Sequence, residues 1–455
     1  MTYRFLRTSI AVALLTTTAL LLAACEDSTP AEDDEPLVSV SRTAVGTLPT
    51  MTPAASGTAS GETTVATPAG EGSVEFGVAT VDVTTGEVAT LYQGPDAFWW
   101  PESRNGAIWL SVSEDEAVRY ALDGTEQERL DGYGVLESED GGARAYFATG
   151  EDGETLLVAE RDGERIEAPG DRASNLAFSP DGRRLAWLDG GEEEHHRVVA
   201  ANLESGTVSD VAEVAPCGCD GFHYLEWSPS GRYLAYDNPD LDAPSERGIY
   251  IRDMEAGEPI EPVRASEGGQ WIVDGWLRAD DVEYLLTLEG VGPTLTPVEG
   301  GDPIVLDAGP VSGQRARTLQ SLVMVTRGEE PSQTTMIFDP VSGERVREVR
   351  GITDAVLTPD GIATATITRN DLACTGVAVD HPAMRETLDC DAEYLRWSPD
   401  GRYLALIPQA ESAPVQILDV TTGETTDLPH AGPRGTIPEW SEDSRYLVWI
   451  WGAQL

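Results

Sequence analysis

Four stretches of this chain spell the same short hairpin, and that repetition limits the fold more than any other feature. They are Leu176-Ala-Phe-Ser-Pro-Asp-Gly-Arg-Arg-Leu-Ala-Trp187, Leu225-Glu-Trp-Ser-Pro-Ser-Gly-Arg-Tyr-Leu-Ala-Tyr236, Leu395-Arg-Trp-Ser-Pro-Asp-Gly-Arg-Tyr-Leu-Ala-Leu406 and Pro438-Glu-Trp-Ser-Glu-Asp-Ser-Arg-Tyr-Leu-Val-Trp449. Each is a short apolar strand, a turn and a second apolar strand. Pro presets φ, Asp bonds the backbone ahead of it, and Gly supplies the positive φ that the turn needs. Weaker copies stand at Leu357-Thr-Pro-Asp-Gly361, Leu136-Glu-Ser-Glu-Asp-Gly141 and Trp276-Leu-Arg-Ala-Asp-Asp281. A second kind of hairpin recurs between them, as in Val81-Asp-Val-Thr-Thr-Gly-Glu87, Phe338-Asp-Pro-Val-Ser-Gly-Glu344, Leu418-Asp-Val-Thr-Thr-Gly-Glu424 and Ala201-Asn-Leu-Glu-Ser-Gly206.

Two hairpins make four antiparallel strands per unit. Four-stranded units repeating about every 40 residues describe a β-propeller. The segments resemble the TolB-like, WD-like propeller repeat, marked by its Ser-Pro-Asp-Gly turn, over residues 73–455. That resemblance implies an all-β fold. It is silent on activity, because such repeats serve binding, scaffolding and enzyme-accessory roles. First-hairpin turns fall near positions 106, 141, 182, 231, 281, 320, 361, 401 and 444. The units near 281 and 320 lack the motif, so the expectation is a single closed propeller of eight or nine blades. The hairpin at 76–92 and the last one at 440–451 are expected to complete one blade between them, removing the open edges that a sheet otherwise exposes. Trp187, Trp227, Tyr236, Trp397 and Trp449 occupy matched strand positions and are expected to pack between blades.

The N-terminal segment carries an address. Arg4 and Arg7 precede an apolar run from Ile10 to Leu22, too short for a spanning helix, and then Leu22-Ala-Ala-Cys25. This reads as a secretory signal over residues 1–24. The small residues before Cys25 resemble the lipobox of bacterial lipoproteins. The resemblance implies cleavage before Cys25, a diacylglycerol on its sulfur, and extracytoplasmic anchoring to the cell membrane by lipid alone. Residues 25–72 are rich in Pro, Thr, Ala, Gly and acids and lack aromatics. Such a stretch cannot bury enough apolar surface to order itself, and is expected to be a disordered tether reaching roughly 35–40 Å.

Of 455 residues, 79 are Asp or Glu against 30 basic residues, all Arg, for a net charge of −49. Such a chain repels phosphate backbones, so no nucleic-acid partner is expected. The oxidising compartment favours disulfides. Cys374 and Cys390 lie in one repeat unit and are the expected pair. Cys217 and Cys219 are either a strained disulfide or two thiols. No metal, cofactor or catalytic residue is expected: no His-Glu-x-x-His and no Gly-x-Ser-x-Gly occurs, and a phosphate loop is impossible without Lys.

Links between second and third strands of a blade should share one rim with the links between blades. They carry Asp189, Glu192, Glu193 and Glu194 in one unit and Asp237, Asp240 and Asp242 in the next. This rim is the expected docking face for an envelope protein or ligand of basic character. The leading function is therefore a binding or scaffold module of the cell envelope. The alternative is an envelope lyase or hydrolase using channel carboxylates, since glycosidase-type chemistry needs only two acids.

Overall fold

Apolar strands broken by Gly- and Asp-bearing turns fold into strands alone: the described residues hold thirty-six and no helix. The computed structural model describes residues 76–451, apart from 95–102, 114, 191–195, 216–223, 239–247, 257–262, 265–271, 290–291, 309–314, 320, 329–332, 371–372, 389–391, 409–412 and 430–437. No helix among them is long and apolar enough to cross a membrane. The strands form nine antiparallel sheets of four, the blades of a β-propeller.

Blades 1 to 8 follow the chain, at residues 103–131, 133–169, 173–214, 225–264, 272–305, 315–350, 352–388 and 394–428. Within each, strands a to d pair in sequence order. Neighbouring blades touch through their first strands: Ala173–Phe178 lies against Leu225–Trp227, and Ile352–Thr358 against Tyr394–Trp397. Fourth strands such as Glu126–Asp131 and Arg345–Arg350 are the most exposed. Strand a is therefore innermost and strand d outermost.

Blade 9 is assembled from both ends of the fold. Strands a and b are Glu439–Trp440 and Tyr446–Trp451; strands c and d are Phe76–Asp82 and Val88–Gly94. The two halves pair antiparallel from Gly77↔Trp451 to Asp82↔Tyr446, which closes the ring.

Blades 5 and 6, which lack the turn motif, are both present, so the count is nine. In blade 5 the a–b turn bends at Asp280 and Asp281, both at positive φ (47° and 65°), a conformation Asp tolerates better than most residues. The matched aromatics Trp187, Trp227, Tyr236, Trp397 and Trp449 are buried. They sit in apolar clusters that join neighbours; Phe147 and Leu157 of blade 2, for example, pack with Leu185 and Trp187 of blade 3. Each fully buried Leu or Phe contributes about 1.5–3 kcal/mol. The packing between blades, more than any single sheet, holds the ring.

Candidate functional site

Because the strands alternate in direction, the a–b and c–d turns of every blade lie on one face. The b–c links and the d–a links between blades lie on the other. The two are called here the turn face and the link face.

On the turn face the repeated motif makes a repeated bonding pattern. Ser179, Ser398 and Ser441 each donate an Oγ hydrogen bond of 2.6 Å to the Asp two residues on, Asp181, Asp400 and Asp443. The same hydroxyls accept the backbone N–H five residues ahead, at 2.8–3.0 Å. The following residue is Gly at positive φ in blades 3, 4 and 8 but Ser444 in blade 9, at φ 61°. Its hydroxyl accepts the amide of Asp400 in blade 8 at 3.1 Å, a contact that Gly could not make.

The Arg next in the motif reaches across to the c–d turn of its own blade. Arg232 bonds Asp253 (Nε, 2.9 Å), Arg402 bonds Asp419 (2.7 Å) and Arg445 bonds Asp82 (2.7 Å). Each guanidinium also lies over the next Tyr: Tyr233, Tyr403 and Tyr446, at 4.9, 4.8 and 5.1 Å. The Asp in turn accepts backbone N–H groups of the c–d turn, from Thr84 and Thr85 at Asp82, from Glu255 and Ala256 at Asp253, and from Thr421 at Asp419. Burial alone would raise the Asp419 carboxyl, but hydrogen bonds from Arg402 and Thr421 outweigh it and bring it down to about 2. Asp82 lies below its ordinary value by the same balance, with burial opposing Thr84 and Arg445. In Asp253 the bond from Arg232 leads and burial opposes. The sequence reading missed these Arg–Asp–Tyr staples. Their signal is Gly-Arg-Tyr, or Ser-Arg-Tyr in blade 9, in one hairpin and Asp at the head of the next turn.

Near the axis, Arg317 of blade 6 forms an ion pair with Asp354 of blade 7, both largely buried. The other oxygen of Asp354 accepts the backbone N–H of Trp397 in blade 8 at 2.8 Å. One carboxylate thus ties three consecutive innermost strands. Among the described residues no three His, Cys, Asp or Glu side chains gather as metal ligands.

On the link face, the structure places two of the expected docking acids at the ends of strand b in neighbouring blades. Asp189 pairs with Arg197 on the next strand, and Asp237 accepts the backbone N–H of Tyr224 at 2.9 Å. Glu192, Glu193, Glu194, Asp240 and Asp242 lie outside the described residues, as do Cys25, Cys217, Cys219 and Cys390. The backbone of Cys374 belongs to strand c of blade 7, opposite Arg369.

No known protein family matches the chain, and no curated protein does. Solved structures similar to it include a eukaryotic initiation factor (13% identity, 83% of this chain and 98% of that one, TM-score 0.47). BamB from Moraxella catarrhalis shares 13% identity over 83% of this chain and all of its own, with a TM-score of 0.39. A TolB from Agrobacterium tumefaciens shares 14% over 61% of this chain and 91% of its own, with a TM-score of 0.31. At these values the similarities carry no argument about activity or ligand.

Proposed function

We propose that this chain is an extracytoplasmic binding or scaffold propeller of the cell envelope, held to the membrane by lipid on Cys25, which docks a basic partner on its link face. The observation that carries this reading is the contrast between the faces. On the turn face the repeated Arg of the motif and the Asp at the head of the c–d turn are bonded to one another within their blades, so those side chains serve the fold. The link face carries the longer connections of variable sequence, and with them the acidic runs at 189–194 and 237–242. Loops on a rigid scaffold are where binding residues concentrate. A carboxylate-based enzyme would need an acid at the axis able to exchange protons with a substrate. One buried acid of the innermost strands, Asp354, is committed to Arg317 and to the Trp397 amide.

Chemical crosslinking in intact membranes, followed by affinity capture, tests the proposal. A captured basic protein whose binding weakens as salt rises is the expected result; binding indifferent to salt would overturn the docking reading. The anchor is tested separately. Cys25→Ser should release the protein from the membrane fraction, and unchanged fractionation would end the lipid reading.

A further inference from the structure

The seams between blades are not fastened alike. At three of them an indole bridges to the preceding blade: Trp227 Nε1 donates to the Ala177 carbonyl (3.0 Å), Trp276 to Glu226 (3.3 Å) and Trp440 to Arg396 (3.0 Å). Trp397, at the matched position of blade 8, is 4% exposed, yet its Nε1 finds no hydrogen-bond partner among the described residues. What lies against that indole is an imidazole. His381, in the c–d turn of blade 7, is 9% exposed and packs on Trp397 with ring centroids 5.8 Å apart. Its Nδ1 accepts the backbone N–H of Ala383 at 3.0 Å, and the nearby backbone of Gly401, in the a–b turn of blade 8, favours the protonated ring. With Nδ1 accepting, the neutral imidazole carries its proton on Nε2, and its ring contact with Trp397 joins the two blades.

We propose that the seam between blades 7 and 8 is a pH-sensitive joint on the turn face, with His381 as its trigger. A proton arriving at Nδ1 removes the acceptor for Ala383 and leaves two N–H groups facing each other. The surroundings offer the imidazolium little relief. From its own blade's a–b turn, Asp360 attracts it. The neighbouring Asp380 is already paired with Arg347 and Arg385. In the blade 8 turn, Asp400 is bonded to Ser398 and to the Arg402 amide, and Arg402 to Asp419. Burial outweighs the attraction of Asp360 and the effect of the Gly401 backbone, and holds the imidazole below its usual 6.5.

The sign follows. A state in which the joint has opened, with His381 in water, takes up a proton near pH 6.5, before the closed state does. Acidification through that value therefore favours opening, by up to about tenfold between pH 7.5 and 5.5. The bond from the Trp397 amide to Asp354 lies on the innermost strands and makes no use of the imidazole, so the loosening is confined to the turn face.

Hydrogen exchange read by mass spectrometry on the full chain tests this, after correction for intrinsic exchange at each pH. Protection at residues 381–384 and 398–403 should fall several-fold more from pH 7.5 to 5.5 than protection at the equivalent turns 179–184 and 228–233. His381→Gln should abolish the difference. An equal fall at all these turns, or one that persists in H381Q, would overturn the proposal. Should H381Q not fold, exchange at the imidazole C2 position of the unaltered chain decides. A His381 titration at or above 6.5 sinks the joint, and one clearly below it upholds it.

Discussion

The turn face and the link face of this propeller are made from the same nine blades by different means. On the turn face, each segment of about six residues repeats nearly the same chemistry, and the contacts it makes are local or reach one blade over. The close approach of Gly401 to Thr358 shows how tightly successive turns sit. A Cβ on Gly401 would lie 2.6 Å from the Thr358 methyl. On the link face, the connections vary widely in length and composition. One link between blades is the single residue Gly351, while another runs from 429 to 438. A face built by repetition is constrained by its own closure, whereas one built by variation is constrained by whatever it meets. Stability should therefore respond to changes on the first face and association to changes on the second.

The largest effect should come from the clasp. Deleting residues 440–455 removes strands a and b of blade 9 and with them the buried Trp440, Leu447 and Trp449. Loss of cooperative thermal unfolding and a shift to aggregates in size-exclusion chromatography are expected. A milder version, Trp449→Ala, should cost about 3–5 kcal/mol in chemical denaturation. A truncated chain that melts like the parent would mean that the blades are stable without closure.

Next comes Gly401→Ala. The residue has φ +72°, and the added methyl meets Thr358. About 1–3 kcal/mol of destabilisation is expected. Pairing it with Thr358→Ala should recover part of the loss; recovery of none would show that backbone strain alone is responsible.

The staples predict a response to acid. Asp82, Asp253 and Asp419 titrate below their ordinary value in the folded chain. Their contribution is thus complete above about pH 4 and is lost as pH falls below it, toward about 2 for Asp419. The triple change to Asn should lower the melting temperature at pH 6 and flatten its decline between pH 4 and 2. An unaltered decline would assign acid unfolding to other carboxylates.

The smallest effect on stability should follow Glu192, Glu193 and Glu194→Gln. Within about 0.5 kcal/mol, unfolding should be unchanged, while association with the captured basic partner slows. If stability falls and association does not, the division between the faces is wrong.

How much of this was legible follows from the same contrast. The Ser-Pro-Asp-Gly hairpins announced strands a and b, because a turn's conformation is specified by the residues in it. The Arg161-Asp-Gly-Glu164 segment likewise reads as a hairpin, and Asp162 and Gly163 do take positive φ there (52° and 86°). Blades 5 and 6 were harder, since their turns use Asp280 with Asp281, or no motif at all, to the same geometric end. What could not be read were the ties between blades. Nothing local in Arg317, Asp354 and Trp397 relates positions 37 and 43 residues apart; only the ring brings them together. The staples fall between. Each unites two hairpins of one blade, so once the blade is drawn the facing of Arg402 and Asp419 follows.

The split blade has a mechanical consequence. Strand b of blade 9 ends, and strand c begins, on the link face, with Gly77 beside Trp451. Tension applied through the chain that precedes Phe76 pulls strand c along its own length between two antiparallel neighbours, Tyr446–Trp451 and Val88–Gly94. Load in that direction falls on both ladders at once, as shear, and does not peel their bonds apart one by one. A propeller moored by its first strand would thus be held by the same clasp that closes its ring. Its mechanical lifetime under pull would be set by the rate at which that clasp slips.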